Sequence, residues 1–257
     1  MSTWPIIIIS LRDAASRRAR LIDFLERFGL CYTIFNAIDG RSGLPQEFEK
    51  LIDRAQASIN LRRSLTDAEY ACALSHHMIY RKILDESHSG ALVLEDDADP
   101  NDLFIEAWRS KFFRKYDFLQ WNYGFCRIWR TALFKKKETS NLLSARIVSN
   151  AGLASAYTLS HRAAAYLVKH GLPISLPADW PCDLRPLKPR VVIPKPVITP
   201  DVDVYQSHLE DGRAAAKMNQ VFEGQSRTRR EFLTTRRARN PLPSYPSFIY
   251  RVLSEPQ

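Results

Sequence analysis

The chain has only four cysteines in 257 residues, Cys31, Cys72, Cys126 and Cys182, and they are scattered, with no Cys-x-x-Cys pair and no zinc-finger spacing. That pattern excludes a disulfide framework and a structural zinc module, and it points to a reducing compartment. No stretch approaches the eighteen consecutive apolar residues that a membrane-spanning helix needs. The segment Met1 to Ser10 has no basic region before its apolar run and no small-residue cleavage site after it, so it reads as a first strand and not as a signal peptide. The expectation is a protein that is soluble or held at a membrane surface. There is no Gly-x-Gly-x-x-Gly and no Walker loop, which argues against a dinucleotide enzyme or a P-loop ATPase. Internal repeats are absent as well.

What is present is an ordinary globular balance, 45% apolar and 25% charged, in a chain long enough to bury a full core. Ile6 to Leu11 is a β-branched run of the kind buried on both faces in a parallel sheet. Leu21, Phe24, Leu25 and Phe28 then recur at helical spacing, and Gly29 supplies a stop. Cys31 to Ala37 reads as a second apolar strand. The spacing of Ala71, Leu74, Met78, Ile79 and Ile83 predicts a helix over 67–85, with Thr66 as N-cap and Glu69 as its capping-box partner. After Gly90, Ala91 to Leu94 is a short buried strand. Ile105 to Phe113 is expected as helix, Tyr116 to Tyr123 and Ala154 to Leu159 as strands, and Ser160 to His170 as helix. Strand, helix and strand in alternation indicate an α/β fold on a mainly parallel sheet. Beyond Leu172, eight prolines from Pro173 to Pro200 argue against helix and central strand, leaving loops and short edge strands.

The chemistry concentrates at Glu95-Asp96-Asp97, three carboxylates directly after a buried strand. Open α/β sheets bind ligands at that end. Adjacent anions need compensation, and oxygen ligands of this kind favour Mg²⁺ or Mn²⁺, which could bridge a diphosphate. The plain alternative is an acidic turn capping the next helix. The segment Ser10 to Arg20 runs from the first strand into an arginine-rich helix start suited to phosphate.

Four blocks in order, Ile7-Ile-Ile-Ser-Leu-Arg with Arg17-Arg18, Phe35-Asn-Ala-Ile-Asp-Gly, Leu65-Thr-Asp-Ala-Glu-Tyr-Ala-Cys-Ala-Leu-Ser-His, and Ala91-Leu-Val-Leu-Glu-Asp-Asp, resemble glycosyltransferase family 25, the lipopolysaccharide and lipooligosaccharide biosynthesis transferases. The resemblance covers roughly the first hundred residues. It implies a GT-A type, Rossmann-like nucleotide-sugar fold, an inverting transfer and a UDP-hexose donor, commonly UDP-galactose, with Mn²⁺ or Mg²⁺. By position it assigns Ser10, Arg12 and Arg18 to the nucleotide and Asp39 to uracil or ribose. Glu95 and Asp97 take the outer positions of an Asp-x-Asp-like motif, one for ribose and one for metal. Glutamate in place of the first aspartate leaves the division between Glu95, Asp96 and Asp97 open. Glu69, Ser75 and His76 fall in the third block; Ser75 and His76 would hold the donor diphosphate or sugar, although a single helix histidine is ordinarily structural.

An inverting transfer needs a base for the acceptor hydroxyl. Pro177-Ala-Asp-Trp-Pro-Cys-Asp offers Asp179 as the preferred base and Asp183 as the alternative, with Trp180 able to stack on a sugar; an ordinary Asp-Pro turn is the competing reading. His208, in a polar loop, is a candidate late metal ligand. Residues 1–210 are expected as the transferase domain, 1–100 for the nucleotide-sugar and 101–210 for the acceptor, with 211–257 a basic extension. The formal net charge is +9, and much of the excess lies at 213–239 with phenylalanine and leucine interleaved, which suits an anionic membrane surface. The partners expected are a UDP-hexose donor and a glycan or glycolipid acceptor at the cytoplasmic face of a membrane. A nucleic-acid binding module would account for the tail but not for the carboxylates. An inactive transferase-like scaffold lacks any positive sign, since the carboxylates and Asp179 are all present.

Overall fold

Isoleucine at four consecutive positions gives β1, Ile6–Ser10, buried along its whole length. The computed structural model describes residues 4–124, 126–148, 151–199 and 250–253. Helix α1, Ala15–Arg27, ends where Gly29 takes a φ of 64°. There the Gly29 N–H reaches the Glu26 carbonyl at 3.0 Å and the Leu30 N–H the Leu25 carbonyl at 2.9 Å, a Schellman closure that glycine permits at no steric cost. β2, Tyr32–Asn36, pairs parallel to β1. It is an edge strand, and Ile34 is 41% exposed, so it is less buried than its apolar composition suggests.

Helix α2, Arg54–Leu61, is capped by Asp53. Helix α3, Asp67–Asp85, has the expected bounds and the reciprocal Thr66–Glu69 capping box. β3, Gly90–Glu95, lies parallel to β1 on its other side, with Ile9 beside Glu95. The two-residue β4, Asp99–Pro100, leads to α4, Asp102–Ser110. This helix starts earlier than its spacing suggests, because Asn101 caps it, and Lys111 at φ 56° stops it before Phe112 and Phe113. Both rings then enter the core from a 3₁₀ turn.

The remaining elements are β5 Phe118–Gln120, β6 Cys126–Trp129, β7 Lys135–Lys137, β8 Leu143–Arg146, β9 Ala156–Ser160, α5 His161–His170, β10 Arg190–Ile193, β11 Val197–Ile198 and β12 Tyr250–Leu253. Eight strands form one sheet in the order β2-β1-β3-β9-β5-β10-β8-β7. Six share one direction and only β9 and β8 oppose it. The sheet is therefore mainly parallel in sense, as expected of a GT-A type α/β fold. Alternate strand residues face two helical layers. Ile6, Ile8, Leu92 and Leu94 pack on α1 and α4, while Ile7, Ile9, Ala91 and Val93 pack on α3 and α5. Each such buried isoleucine or leucine stabilises the fold by about 1.5–3 kcal/mol.

The proline-rich stretch corrects one expectation. β10 is a central strand, paired with β5 on one side and β8 on the other. Pro189 and Pro194 only bracket it, so the four residues between them keep every N–H for the ladder. Strands β6, β7 and β8 were not anticipated from the sequence. Of the expected C-terminal extension, Tyr250–Leu253 forms β12 against β6; its basic segment at 213–239 lies outside the described residues.

Candidate active site

Because β1 and β3 are parallel neighbours, their carboxyl ends emerge together, and Ser10 meets the residues that follow Glu95. Ser10 Oγ donates to Asp96 Oδ2 at 2.9 Å. Arg17, in the first turns of α1, donates from Nε to Asp96 Oδ1 at 2.9 Å and from Nη2 to Asp97 Oδ2 at 2.8 Å. One guanidinium fork thus balances two of the three carboxylates, the geometry that arginine supplies and lysine does not. The other oxygen of Asp97, Oδ1, is buried without a hydrogen-bond partner. Burial, and then the charge of Glu95, push the Asp97 carboxyl up to about 7 despite the opposing pull of Arg17.

The opposite wall is the loop after β2 and the start of α3. Ser75 Oγ accepts from the Ile38 N–H at 2.9 Å and donates to the Ala71 carbonyl at 2.7 Å, which fastens the loop to the helix. Gly40 allows that approach: a Cβ there would stand 2.5 Å from the Asp67 carbonyl oxygen. Asp39 reaches the rim, where Arg41 pairs with it at 2.6 Å. Between the walls lies an open cleft lined by Ser10, Arg17, Asp39, Ser75, Glu95 and Asp97, among others.

Behind Glu95 runs a buried polar chain. His76 Nε2 faces Glu95 Oε1 at 3.0 Å, His76 Nδ1 meets the Tyr157 hydroxyl at 2.7 Å, and Tyr157 reaches the Tyr80 hydroxyl at 3.4 Å. His76, from the middle of α3, therefore fixes the carboxylate from inside the core. Burial raises the Tyr157 and Tyr80 hydroxyls well above their ordinary value, so both stay protonated.

Ser10, Asp39, Ser75, Glu95, Asp96 and Asp97 thus meet at one cleft, with His76 directly behind it. Arg18 stands beside them, donating from Nη1 to Ser10 Oγ at 3.1 Å and to the Leu11 carbonyl at 3.0 Å. Arg12 is exposed and outside the cleft lining. Glu69 is buried away from the cleft, bound to the Thr66 N–H and to both terminal nitrogens of Arg63. Asp179 is half-buried in the turn after Pro177, within reach of the charge of Arg63 and beside Gly152. Trp180 is only 9% exposed and packs in the α3–α5 core layer. Asp183 is gripped by Arg185, with Nη2 at 2.6 Å from Oδ2, which lowers its carboxyl below the usual range. His208 lies outside the described residues.

Three residues to which the sequence reading gave no role of their own belong to this geometry: Arg17, Cys72 and Tyr157. Arg17 had a signal, because it stands four and eight residues before Leu21 and Leu25 and so shares their sheet-facing stripe. Cys72 stands four before His76 on the same face of α3. Tyr157 had none, because its place depends on β9 running antiparallel between β3 and β5.

The family model described as Glycosyltransferase family 25 (LPS biosynthesis protein) matches residues 3–181. The chain is 32% identical over 90 residues to the lacto-N-neotetraose biosynthesis glycosyltransferase LgtB of Neisseria meningitidis serogroup B, a match covering 35% of this chain and 31% of that protein. It is 26% identical over 176 residues to the lipooligosaccharide biosynthesis protein lic2B of Haemophilus influenzae, covering 63% and 62%. Procollagen galactosyltransferase 1 of Danio rerio is 30% identical over 95 residues, covering 36% and 16%. The chain thus spans about a third of the length of LgtB and under two thirds of lic2B.

Proposed function

The chain belongs to glycosyltransferase family 25, and on that premise we propose that it moves galactose, with inversion, from UDP-galactose to a lipooligosaccharide or related glycan acceptor. The observation that carries this reading is the carboxylate knot at the end of β3, which opens into a cleft also lined by Ser10, Asp39 and Ser75. The names of two relatives favour a galactose-containing product, since one is a procollagen galactosyltransferase and another serves lacto-N-neotetraose biosynthesis.

The residues suit a hard divalent cation. Asp97 Oδ1 is buried with no partner, and Glu95 stands beside it with further oxygen ligands. Glu95 and Asp97 are the proposed holders of Mn²⁺ or Mg²⁺, which when bound would offset charge on the departing UDP diphosphate. Ser10, Arg18 and Asp39 shape the nucleotide side, and Arg17 aims Asp96 and Asp97 through its Nε and Nη2 hydrogen bonds. Asp179 takes the proton of the acceptor hydroxyl as the sugar is attacked from the face opposite UDP. Its preference over Asp183 gains support from the Arg185 pair, which makes Asp183 the weaker base.

Among the described residues no helix is long and apolar enough to cross a membrane. We assign contact with an anionic, cytoplasmic membrane surface to the basic segment 213–239. The test of the function is donor turnover across UDP-galactose, UDP-glucose and non-uridine sugar nucleotides, with and without Mn²⁺. UDP-galactose turnover that collapses on chelation is the expected result. Turnover indifferent to chelation, or confined to a non-uridine donor, overturns the reading.

A further inference from the structure

The inner wall of the cleft joins three side chains of different chemistry. Cys72 and His76 stand one turn apart on α3, and Glu95 comes to meet them from the end of β3. A sulfur, a ring nitrogen and a carboxylate oxygen from these three lie within 4.8 Å of one another. Mn²⁺ and Mg²⁺ favour all-oxygen shells, whereas thiolate with imidazole and one carboxylate is a donor set for zinc. Zinc–ligand bonds of about 2.0–2.3 Å put tetrahedral ligand atoms roughly 3.5 Å apart, so a side-chain shift of about 1 Å closes the set.

The outer contacts fit as well. Tyr157, donating to Tyr80, is free to accept from His76 Nδ1 at 2.7 Å. With a cation bound, donation from Nδ1 leaves the Nε2 lone pair for the metal, in place of the hydrogen bond by which Nε2 faces Glu95 Oε1 at 3.0 Å. This is the arrangement by which a neighbouring hydrogen bond fixes the tautomer of a metal-ligating histidine. Cys72 is in no disulfide, and both Cys72 and Glu95 reach the cleft lining, which leaves a fourth position toward solvent. Three protein ligands with one open position is the pattern of an accessible zinc site.

We propose that Cys72, His76 and Glu95 form a site for a thiophilic divalent cation of the zinc type, separate from the oxygen site of Glu95 and Asp97 but sharing Glu95 with it. The inference does not rest on the transferase reading, since its test measures no sugar transfer. Binding deprotonates the Cys72 thiol and releases that proton to solvent.

The probe is Co²⁺ added to metal-stripped full-length protein, because cobalt gives an intense near-ultraviolet thiolate charge-transfer band and visible tetrahedral bands. One equivalent should bind, and Zn²⁺ should displace it. Cys72→Ser should abolish the near-ultraviolet band, while Cys31→Ser, which removes an exposed thiol, should keep it. Tyr157→Phe, which keeps the ring stacked on Phe118, should weaken Co²⁺ binding by roughly 10–100-fold. A second readout uses the unaltered chain: one equivalent of Zn²⁺ should protect Cys72 from alkylation, as read by peptide mass spectrometry. Absence of the band, its survival in Cys72→Ser, or unchanged alkylation of Cys72 under Zn²⁺ overturns the proposal.

Discussion

At the ends of β1 and β3 the charged side chains stand where a buried strand stops, and each is held by a partner from a different element: Asp96 by Ser10 and Arg17, Glu95 by His76. In the segment 177–187 the carboxylates stand on turns. The Asp183 carboxylate pairs with a near neighbour in sequence, Arg185, and Asp179 lies beside the backbone of Gly152. The first region fixes charge by burial and long-range compensation. The second carries its carboxylates on turns, Asp183 paired with Arg185 two residues on and Asp179 half-buried within reach of the charge of Arg63.

The largest expected effect tests whether the division is one of function. Asp179→Asn should lower turnover by about 10²–10⁴-fold, the contribution of a positioned base, while leaving UDP binding unchanged. Asp97→Asn should lower turnover by about 10²–10³-fold and also weaken cation-dependent UDP binding, measured by calorimetry with and without Mn²⁺. If Asp179→Asn also weakens UDP binding, or keeps near-native transfer, the two regions do not divide the work in this way.

Much of the first region was legible because its signals are local. The isoleucine run, Gly29 and the Thr66–Glu69 box each act within one element, so the sequence carries them directly. The acidic triplet was legible for the same reason, as it must sit at the end of its strand. Choosing among Arg12, Arg17 and Arg18 required one further step, projecting α1 onto its Leu21–Leu25 stripe. Just after the second region, β10 was hidden because prolines at both ends suggested a break, and its neighbours β5 and β8 reveal a central strand. The Glu95–His76–Tyr157 chain depends on β9 reversing direction in the sheet, which no local pattern encodes.

A smaller effect contrasts how tightly the regions are packed. At Gly90, the start of β3, a Cβ would stand 2.4 Å from the Trp4 ring and 2.6 Å from the Leu159 carbonyl oxygen. Backbone cannot yield there, so Gly90→Ala should cost about 1–3 kcal/mol in urea unfolding. At Gly124, after β5, the nearest atom would be Leu153 Cγ at 3.7 Å. Gly124→Ala should be neutral or stabilise by up to about 1 kcal/mol through the unfolded chain. Equal losses at the two positions would erase the contrast in packing.

The smallest effect compares the caps of α3 and α5, the two helices that pack together on one face of the sheet. Thr66 Oγ1 accepts from the Glu69 N–H at 3.2 Å, but Glu69 also holds the Thr66 N–H at 3.0 Å and two nitrogens of Arg63. Thr66→Ala removes one bond and leaves the other three, so the loss should stay near 1 kcal/mol. Ser160 Oγ accepts from the Ala163 N–H at 3.1 Å and donates to Asp117 Oδ1 at 2.7 Å, joining helix to strand with a single atom. Ser160→Ala removes both at once, and its loss should approach about 2 kcal/mol. Thermal unfolding of the two variants side by side measures the difference. A larger loss at Thr66 than at Ser160 would mean that the Glu69–Arg63 pair cannot hold the start of α3 without the threonine, and that this helix start is less redundantly fastened than its contacts indicate.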